Sequence, residues 1–163
     1  MIVRAATRAD VPELARVHTE SALAAYAHIA LPPEPDGLGR RARNWATVFD
    51  DRLGTPHVAE ANGIVIGILN FGPARDEAGA GEVYVLYVQP DHWGSGAGQL
   101  LMDRAHADLG RDHPDAVLSV LADNPRARRF YERNGWALEG VRVEPHFGGT
   151  PTEVAHYRKR FNT

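Results

Sequence analysis

The sequence contains no cysteine and a single lysine, and both shortages limit the chemistry open to the protein. Without cysteine the chain has no disulfide, no thiolate nucleophile and no cysteine-ligated zinc site. Positive charge comes almost entirely from arginine, with Lys159 as the one exception. A composition rich in arginine and alanine reflects genome base composition more often than function, so it identifies no partner.

Long apolar runs, a signal-peptide pattern and an excess of positive charge are also absent. No stretch approaches the length of a membrane span, and the start, Met1 to Arg4, lacks the shape of a signal peptide. We therefore expect a cytoplasmic protein with no membrane partner. The net charge of −3 argues against a nucleic-acid partner, which usually requires a basic patch. The eight histidines show no metal-binding spacing, so no metal site is expected.

A glycine-rich turn between an apolar strand and a helix is the most informative feature that is present. The β-branched and aromatic run Leu86 to Val88 stops before Pro90, and three alternate glycines (Gly94, Gly96 and Gly98) lead into a helical pattern. A helix that begins in this way has unpaired N–H groups and a positive dipole end, which together favour a phosphate. Glycine lets the ligand come close because it has no Cβ.

Two known phosphate-binding turns fit this segment poorly. A Walker turn requires Lys-Ser or Lys-Thr after its last glycine, where this chain has Gln99 and Leu100. A dinucleotide turn follows the first strand of its unit and precedes an acidic residue by about twenty positions, whereas this turn lies mid-chain. A purely structural strand-to-helix turn stays open as an alternative on this segment alone.

A second segment, Asn124 to Trp136, decides in favour of phosphate binding. Together the two segments resemble the GNAT superfamily of N-acetyltransferases, which use acetyl-coenzyme A. The family's pyrophosphate loop, Gln/Arg-x-x-Gly-x-Gly/Ala, matches at both glycines of Gly96-Ala97-Gly98, although Trp93 replaces the usual polar or basic first residue. The family's later motif, Asn-x-x-Ala-x-x-Phe/Leu-Tyr-x-x-x-Gly-Phe, matches at Asn124, Ala127, Phe130, Tyr131 and Gly135. The resemblance covers about residues 80–140 well.

The order of predicted elements is that of a mixed sheet with helices on both faces. The pattern reads βαα, then ββ, βα, βα and ββ, with an Asn62-Gly63 hairpin turn in the second group. We therefore predict an α/β (α+β) fold over residues 1–163 as one domain, with a mostly antiparallel sheet of about seven strands. The resemblance implies a splayed pair of central strands, between the strand of Leu86 and the strand of Val120, where the cofactor's pantetheine arm pairs with exposed backbone.

The resemblance also implies where acetyl-coenzyme A binds. The expected contacts lie on the glycine turn, the strand before it and the later helix: Leu86, Val88, Gly94, Ser95, Gly96, Ala97, Gly98, Gln99, Asn124 and Arg129. Asn124 suits an N-cap as well as a ligand contact. Arg126 and Arg128 are alternative phosphate contacts, although charges on a short surface helix are usually solvated.

Acetyl transfer from a thioester to an amine requires a neutral amine, donors for the developing oxyanion and a proton for the thiolate. Tyr131 occupies the family's tyrosine position, and a phenol with an ordinary pKa of about 10 suits protonation of a thiolate. A core tyrosine in an amphipathic helix is the structural alternative.

The base and the acceptor pocket are less well defined by the sequence. Period-two alternation places Glu82, the candidate base, on the strand face of Tyr84, Leu86 and Val88, and a solvent-facing edge glutamate is the alternative. Some peptide acetyltransferases of this family carry glutamate five residues before the asparagine, where this chain has Ser119. That difference weakens a ribosomal-protein substrate. The acceptor pocket is expected between the first two helices and the last hairpin loop, with Tyr26, Trp45 and His146 as its notable side chains.

The sequence thus predicts an enzyme that transfers acetyl from acetyl-coenzyme A to a primary amine of a small molecule or peptide, with a tyrosine general acid. One alternative acceptor is a protein N-terminus or a lysine side chain. Another alternative is a catalytically silent domain that binds acyl-coenzyme A and regulates a partner, although such a domain has no need of Tyr131. A homodimer stays open.

Overall fold

Seven strands form one sheet with helices on both faces in the part of the chain that this computed structural model describes, residues 1–27, 36–146 and 150–161. The strands are β1 (Ile2–Ala5), β2 (His57–Ala61), β3 (Ile64–Pro73), β4 (Gly81–Val88), β5 (Asp115–Leu121), β6 (Ala137–His146) and β7 (Thr150–Arg160). The helices are α1 (Val11–Ala25), α2 (Gly37–Asp50), α3 (Ala97–Asp112) and α4 (Pro125–Arg133), with short 3-10 turns at Arg8–Asp10 and Pro90–His92.

The sheet is antiparallel except at its centre. The strand order is β1-β2-β3-β4-β5-β7-β6, and only the β4–β5 pair is parallel. That pair is joined at Gly81 with Ala116 and at Glu82 with Val117, and beyond these residues the two strands separate. In contrast, β5 pairs with β7 along its whole length. The predicted mixed sheet and its splayed central strands are confirmed.

Two hydrophobic clusters fill the space between the sheet and its helices. One cluster lies under α3 and α4 and includes Leu101, Leu109 and Tyr157, while the other lies under α1 and α2 and includes Leu14 and Trp45. Each helix presents an apolar stripe to the sheet, so both faces of the central strands are buried. No described helix is long and apolar enough to cross a membrane.

A β-bulge interrupts the alternation of β4. The register against β3 shifts opposite Tyr84, which is the extra residue. Val83 and, beyond the bulge, Leu86 and Val88 all contact the cluster under α3. Glu82 precedes Val83 and therefore points to the opposite face of the sheet. The prediction that Glu82 shares a face with Leu86 and Val88 is wrong, because simple alternation cannot register an inserted residue.

Candidate active site

A cleft of about 210 Å³ opens where β4 and β5 separate. Leu86 and Val88 line one wall, Leu118 and Val120 line the other, and α4 closes one end. Because β4 bonds to β5 only at its first two residues, the later part of β4 presents an unpaired backbone edge toward the cleft. An extended ligand arm can add to such an edge as a further strand does.

The glycine turn lies at the mouth of this cleft and leads into α3. Gly94 and Gly96 have φ angles of 79° and 93°, a left-handed conformation that favours glycine. Among the described residues, none accepts a hydrogen bond from the N–H of Gly96, Gly98 or Gln99, while Ala97 N–H donates to Ser95 Oγ at 3.3 Å. The turn therefore offers a set of unpaired amides at a helix N-terminus, an arrangement that suits an anion.

The fold does not require glycine at position 98. Its φ is not in the left-handed region, and an added Cβ would lie 3.6 Å from Phe130 and 3.7 Å from Val88, which is ordinary contact. Glycine inside a helix costs about 1 kcal/mol relative to alanine. Gly98 also lines the cleft, so its missing side chain leaves room where a ligand would meet α3.

Gln99 and Trp93 use their side chains to fix the turn. The amide of Gln99 donates to Asp103 and Asn134 at 2.8 and 2.7 Å, which leaves its backbone N–H as the group for an anion. The Trp93 indole donates to the Val88 carbonyl at 2.9 Å, and the Arg126 guanidinium lies 3.5 Å from the centre of the Trp93 ring. Arg126 therefore brings to the turn the positive charge that Trp93 does not supply.

Helix α4 carries the other predicted cofactor contacts. Asn124 lines the cleft, and its Oδ1 accepts from the Ala127 N–H at 3.2 Å, so it is the N-cap of α4. Arg126 also lines the cleft, whereas Arg128 points inward and donates to the Tyr157 hydroxyl at 2.9 Å. Arg129 is exposed on α4, and its contact with a cofactor phosphate stays a prediction.

Tyr131 is buried in the wall of the cleft, with 8% of its surface exposed. No described residue makes a hydrogen bond with its hydroxyl, although a buried tyrosine usually finds such a partner. Burial, more than the neighbouring Tyr26, raises the pKa of Tyr131 above its ordinary value. The phenol therefore keeps its proton across the physiological pH range.

Tyr26 reaches the same cleft from the end of α1. Its hydroxyl lies 2.9 Å from that of Tyr87 on β4, and burial raises the pKa of both phenols. The sequence analysis missed Tyr87, because it lies one residue from Leu86 and was assigned by alternation to the opposite face.

Glu82 is held by Arg75 and does not line the cleft. Its carboxylate accepts from the Arg75 backbone N–H at 3.0 Å and from the Arg75 guanidinium at 2.6 Å. Glu82 is 9% exposed. A catalytic role for Glu82 stays a prediction, and its observed contacts are those of an ion pair between a buried carboxylate and a largely exposed guanidinium.

A second cavity of about 480 Å³ adjoins the cleft on the α1–α2 side of β4. Tyr84 and Val85 line both cavities, so the two meet at the bulge. Trp45, 3% exposed, belongs to the core and to the wall of this cavity, and its indole donates to His18 Nδ1 at 3.2 Å. His146 ends β6, but its side chain lies outside the part of the chain that the structure describes.

Ser119 lines the cleft and begins a chain of hydrogen bonds across the sheet. Its Oγ lies 3.1 Å from His156 Nδ1, and His156 Nε2 lies 2.8 Å from Glu144 Oε1. These residues are 37 and 12 positions apart and meet only because β7 lies between β5 and β6. No local sequence signal links them. Among the described residues, no cluster of three His, Asp or Glu side chains could hold a metal ion.

The splayed strands and the buried phenol border one cleft, and the turn of unpaired amides lies at its mouth. The sequence profile of the acetyltransferase (GNAT) family matches residues 17–136. The chain belongs to the GNAT family of acetyltransferases, which confirms the predicted family.

Relatives and solved structures agree with this family. The chain is 36% identical over 121 residues to a mycothiol acetyltransferase from Streptomyces coelicolor, covering 69% of this chain and 36% of that relative. It thus spans about a third of the relative's length. The fold is similar to that of a Salmonella typhimurium protein solved with its cofactor acetyl-CoA, at a TM-score of 0.76 and 22% identity, covering 100% and 95% of the two chains. The fold is also similar to that of an N-acetyltransferase from Thermoplasma acidophilum in complex with coenzyme A, at a TM-score of 0.72 and 20% identity, covering 98% of each chain.

Proposed function

We propose that this protein transfers the acetyl group of acetyl-coenzyme A to the primary amine of a small molecule or peptide, by direct attack of the amine on the thioester. The observation that carries this proposal is the Tyr131 hydroxyl. It lies in the wall of the cleft between β4 and β5, and no described residue makes a hydrogen bond with it. A domain that only binds acyl-coenzyme A would not need an unengaged phenol at this point.

The residues around the cleft suit acetyl-coenzyme A. The amides of Gly96, Gly98 and Gln99 would hold the pyrophosphate, with Gly94, Ser95 and Ala97 shaping the turn. The edge of β4 at Leu86 and Val88 would pair with the pantetheine arm, and the Asn124 side-chain amide would bond to the same arm. Arg126 at the cleft and Arg129 beside it on α4 would meet phosphates.

Tyr131 serves as the general acid. Acetyl-coenzyme A supplies the acetyl group as a thioester, whose thiolate takes up a proton as it departs. The phenol of Tyr131 remains protonated because burial raises its pKa, so a proton is available at the wall of the cleft.

The acceptor would enter through the second cavity and reach the cleft past the bulge. Tyr26 lines the cleft and Trp45 lines the cavity, and the two spaces meet at Tyr84 and Val85. His146, at the end of β6, stays a predicted contact. Relatives named for mycothiol, and not for a protein, favour a small acceptor over a protein N-terminus or lysine side chain.

The test is to incubate the protein with acetyl-coenzyme A and a panel of amines while free thiol is measured. The panel contains amino acids, amino sugars, polyamines and short peptides, and mass spectrometry identifies the acetylated product. We expect thiol release that requires an amine and yields the N-acetyl product in equal amount. Tight coenzyme A binding without transfer to any amine would instead identify the silent acyl-coenzyme A-binding domain.

A further inference from the structure

The hydrogen-bonded chain of Ser119, His156 and Glu144 ends at the cleft and has a defined direction. Glu144 is a carboxylate and can only accept, so His156 Nε2 carries the proton in their 2.8 Å bond. In a neutral imidazole, Nδ1 is then an acceptor. The 3.1 Å bond at Nδ1 is therefore donated by the Ser119 hydroxyl. The lone pairs of Ser119 Oγ that remain are available to a group in the cleft.

We infer that this chain is the proton relay that takes the proton of the attacking amine, with Ser119 touching the amine and His156 receiving the proton. The inference rests on the proposed amine acetyltransferase function. It assigns the base of that reaction to residues on β5, β7 and β6 instead of Glu82 on β4. Three observations support the relay: Ser119 lines the cleft, the tautomer of His156 is fixed by Glu144, and both carboxylate oxygens of Glu82 are engaged by Arg75.

The proton balance of the relay is complete. As the amine nitrogen forms its bond to the acetyl carbon, its proton moves to Ser119 Oγ and the Ser119 proton moves to His156 Nδ1. As the bond between the acetyl carbon and sulfur breaks, the sulfur takes the Tyr131 proton. The imidazolium of His156 is stabilised by the Glu144 carboxylate and then returns its proton to solvent, while Tyr131 recovers one. One proton leaves the amine and one reaches the thiol.

The charged groups around His156 leave Glu144 as its direct partner. On β6, Arg142 lies 3.3 Å from Glu144 and so balances part of its charge. Arg158 lies two residues after His156 on β7 and forms ion pairs with Glu77, Asp115 and Glu139. From β5, Ser119 is the side chain paired across from His156. Among the described residues, Glu144 is therefore the carboxylate that forms a hydrogen bond with the imidazole.

A matched pair of variants isolates the Ser119 hydroxyl. Threonine and valine have the same shape and both suit a strand, so Ser119→Thr and Ser119→Val differ in the hydroxyl alone. We expect kcat/KM for the amine to be about a hundredfold lower in Ser119→Val than in Ser119→Thr, as general base catalysis contributes. The dissociation constant of coenzyme A, measured by calorimetry, should be equal in the two variants. Equal kcat/KM in both would overturn the relay.

The tautomer of His156 gives a readout that a structural role would not move. Nitrogen NMR of the wild-type protein should place the His156 proton on Nε2, because the Glu144 carboxylate can only accept. Glu144→Gln puts an amide there, which can donate to Nε2 as well as accept, so the Nδ1–H tautomer should appear and kcat/KM for the amine should fall. Glu153→Gln, an exposed glutamate on β7, is the control and should change neither.

Failure of the relay differs from failure of the proposed function. If no amine is acetylated, the proposed function is wrong, and the NMR spectrum of the ligand-free protein still tests the Nε2–H tautomer of His156. If amines are acetylated but kcat/KM is unchanged in Glu144→Gln, or if Nδ1 carries the proton in the wild-type protein, the relay is wrong and the function stands.

Discussion

At the scale of single residues, Tyr131 and Tyr157 offer a direct comparison, since both are buried phenols in neighbouring positions of the same cluster. The Tyr131 hydroxyl has no described partner, whereas the Tyr157 hydroxyl donates to Glu132 at 2.6 Å and accepts from Arg128 at 2.9 Å. One hydroxyl is available for a reaction and the other holds α4 against β7.

Tyr131→Phe should lower turnover by roughly a hundredfold or more while thermal stability and coenzyme A affinity stay near wild type. The reason is that the lost hydroxyl makes no bond within the described structure and acts only when the thiolate departs. Steady-state kinetics, calorimetry and thermal unfolding provide the measurements. Turnover within threefold of wild type would remove Tyr131 from the mechanism.

Tyr157→Phe is the matched control, with the opposite pattern expected. Loss of its hydroxyl leaves Glu132 and Arg128 without a shared partner and should cost about 1–3 kcal/mol of unfolding free energy. Turnover of the folded fraction should stay close to wild type. Similar kinetics in both variants would mean that the two phenols have not been correctly distinguished.

Glu82→Gln separates the two candidates for the base. If Glu82 serves mainly to hold Arg75, its replacement should lower stability by about 1–3 kcal/mol, because charge-assisted bonds are lost, and should leave the acid limb of kcat/KM in place. The measurements are a pH–rate profile and denaturant unfolding. A flattened acid limb with unchanged stability would instead support Glu82 as the base and contradict the Ser119 relay.

At the scale of elements, the N-terminus of α3 depends on two kinds of glycine. Gly94 and Gly96 adopt the left-handed backbone conformation of the turn, while the missing side chain of Gly98 leaves space for a ligand. Helix α3 begins at Ala97, because the two positive-φ residues belong to the turn. The pattern of alternate glycines indicated the anion site without distinguishing these roles.

Gly98→Val should raise the coenzyme A dissociation constant at least tenfold, which corresponds to about 1.4 kcal/mol, because the branched side chain occupies the ligand's space. The measurement is titration calorimetry, combined with thermal unfolding. Gly98→Ala is the control, since its Cβ fits beside Phe130 and alanine favours a helix by up to about 1 kcal/mol. It should be at least as stable as wild type and bind coenzyme A more tightly than the valine variant. Unchanged affinity in a folded Gly98→Val protein would contradict the phosphate assignment.

At the scale of the whole molecule, buried neutral histidines make stability depend on pH. Burial, with a smaller contribution from Lys159, lowers the pKa of His106 from 6.5 to about 4. His106 Nε2 accepts from the Trp136 indole at 3.0 Å, which requires that nitrogen to be unprotonated. Burial also lowers the pKa of His57.

Acid should therefore destabilise the protein in a defined range. The unfolded chain binds the His106 proton near pH 6.5 and the folded chain only near pH 4, so the stability contribution is complete above 6.5 and is lost between these values. Between pH 7 and pH 4.5 the free energy of unfolding should fall less for His106→Gln than for wild type. The glutamine keeps an acceptor for the Trp136 indole. His113→Gln is the control, and an identical loss in all three proteins would show that His106 does not contribute.

Local patterns were sufficient for much of the fold. The hairpin at Asn62-Gly63, the strand before the glycine turn and helix α4 lie where turn chemistry, periodicity and capping placed them. The family motifs placed Gly98, Asn124 and Tyr131 around one cleft. The cytoplasmic location, the single-domain boundary and a homodimer stay predictions.

The sequence by itself determined the family, because the two motifs that identify it each consist of residues that are close together in the chain. Only the tertiary structure decided the faces of β4, since a bulge at Tyr84 shifts every later side chain by one position. Likewise, Arg75 meets Glu82 and His156 meets Ser119 and Glu144 through loop position and strand order. Contacts of this kind depend on sheet pairing between distant segments, which no local pattern encodes.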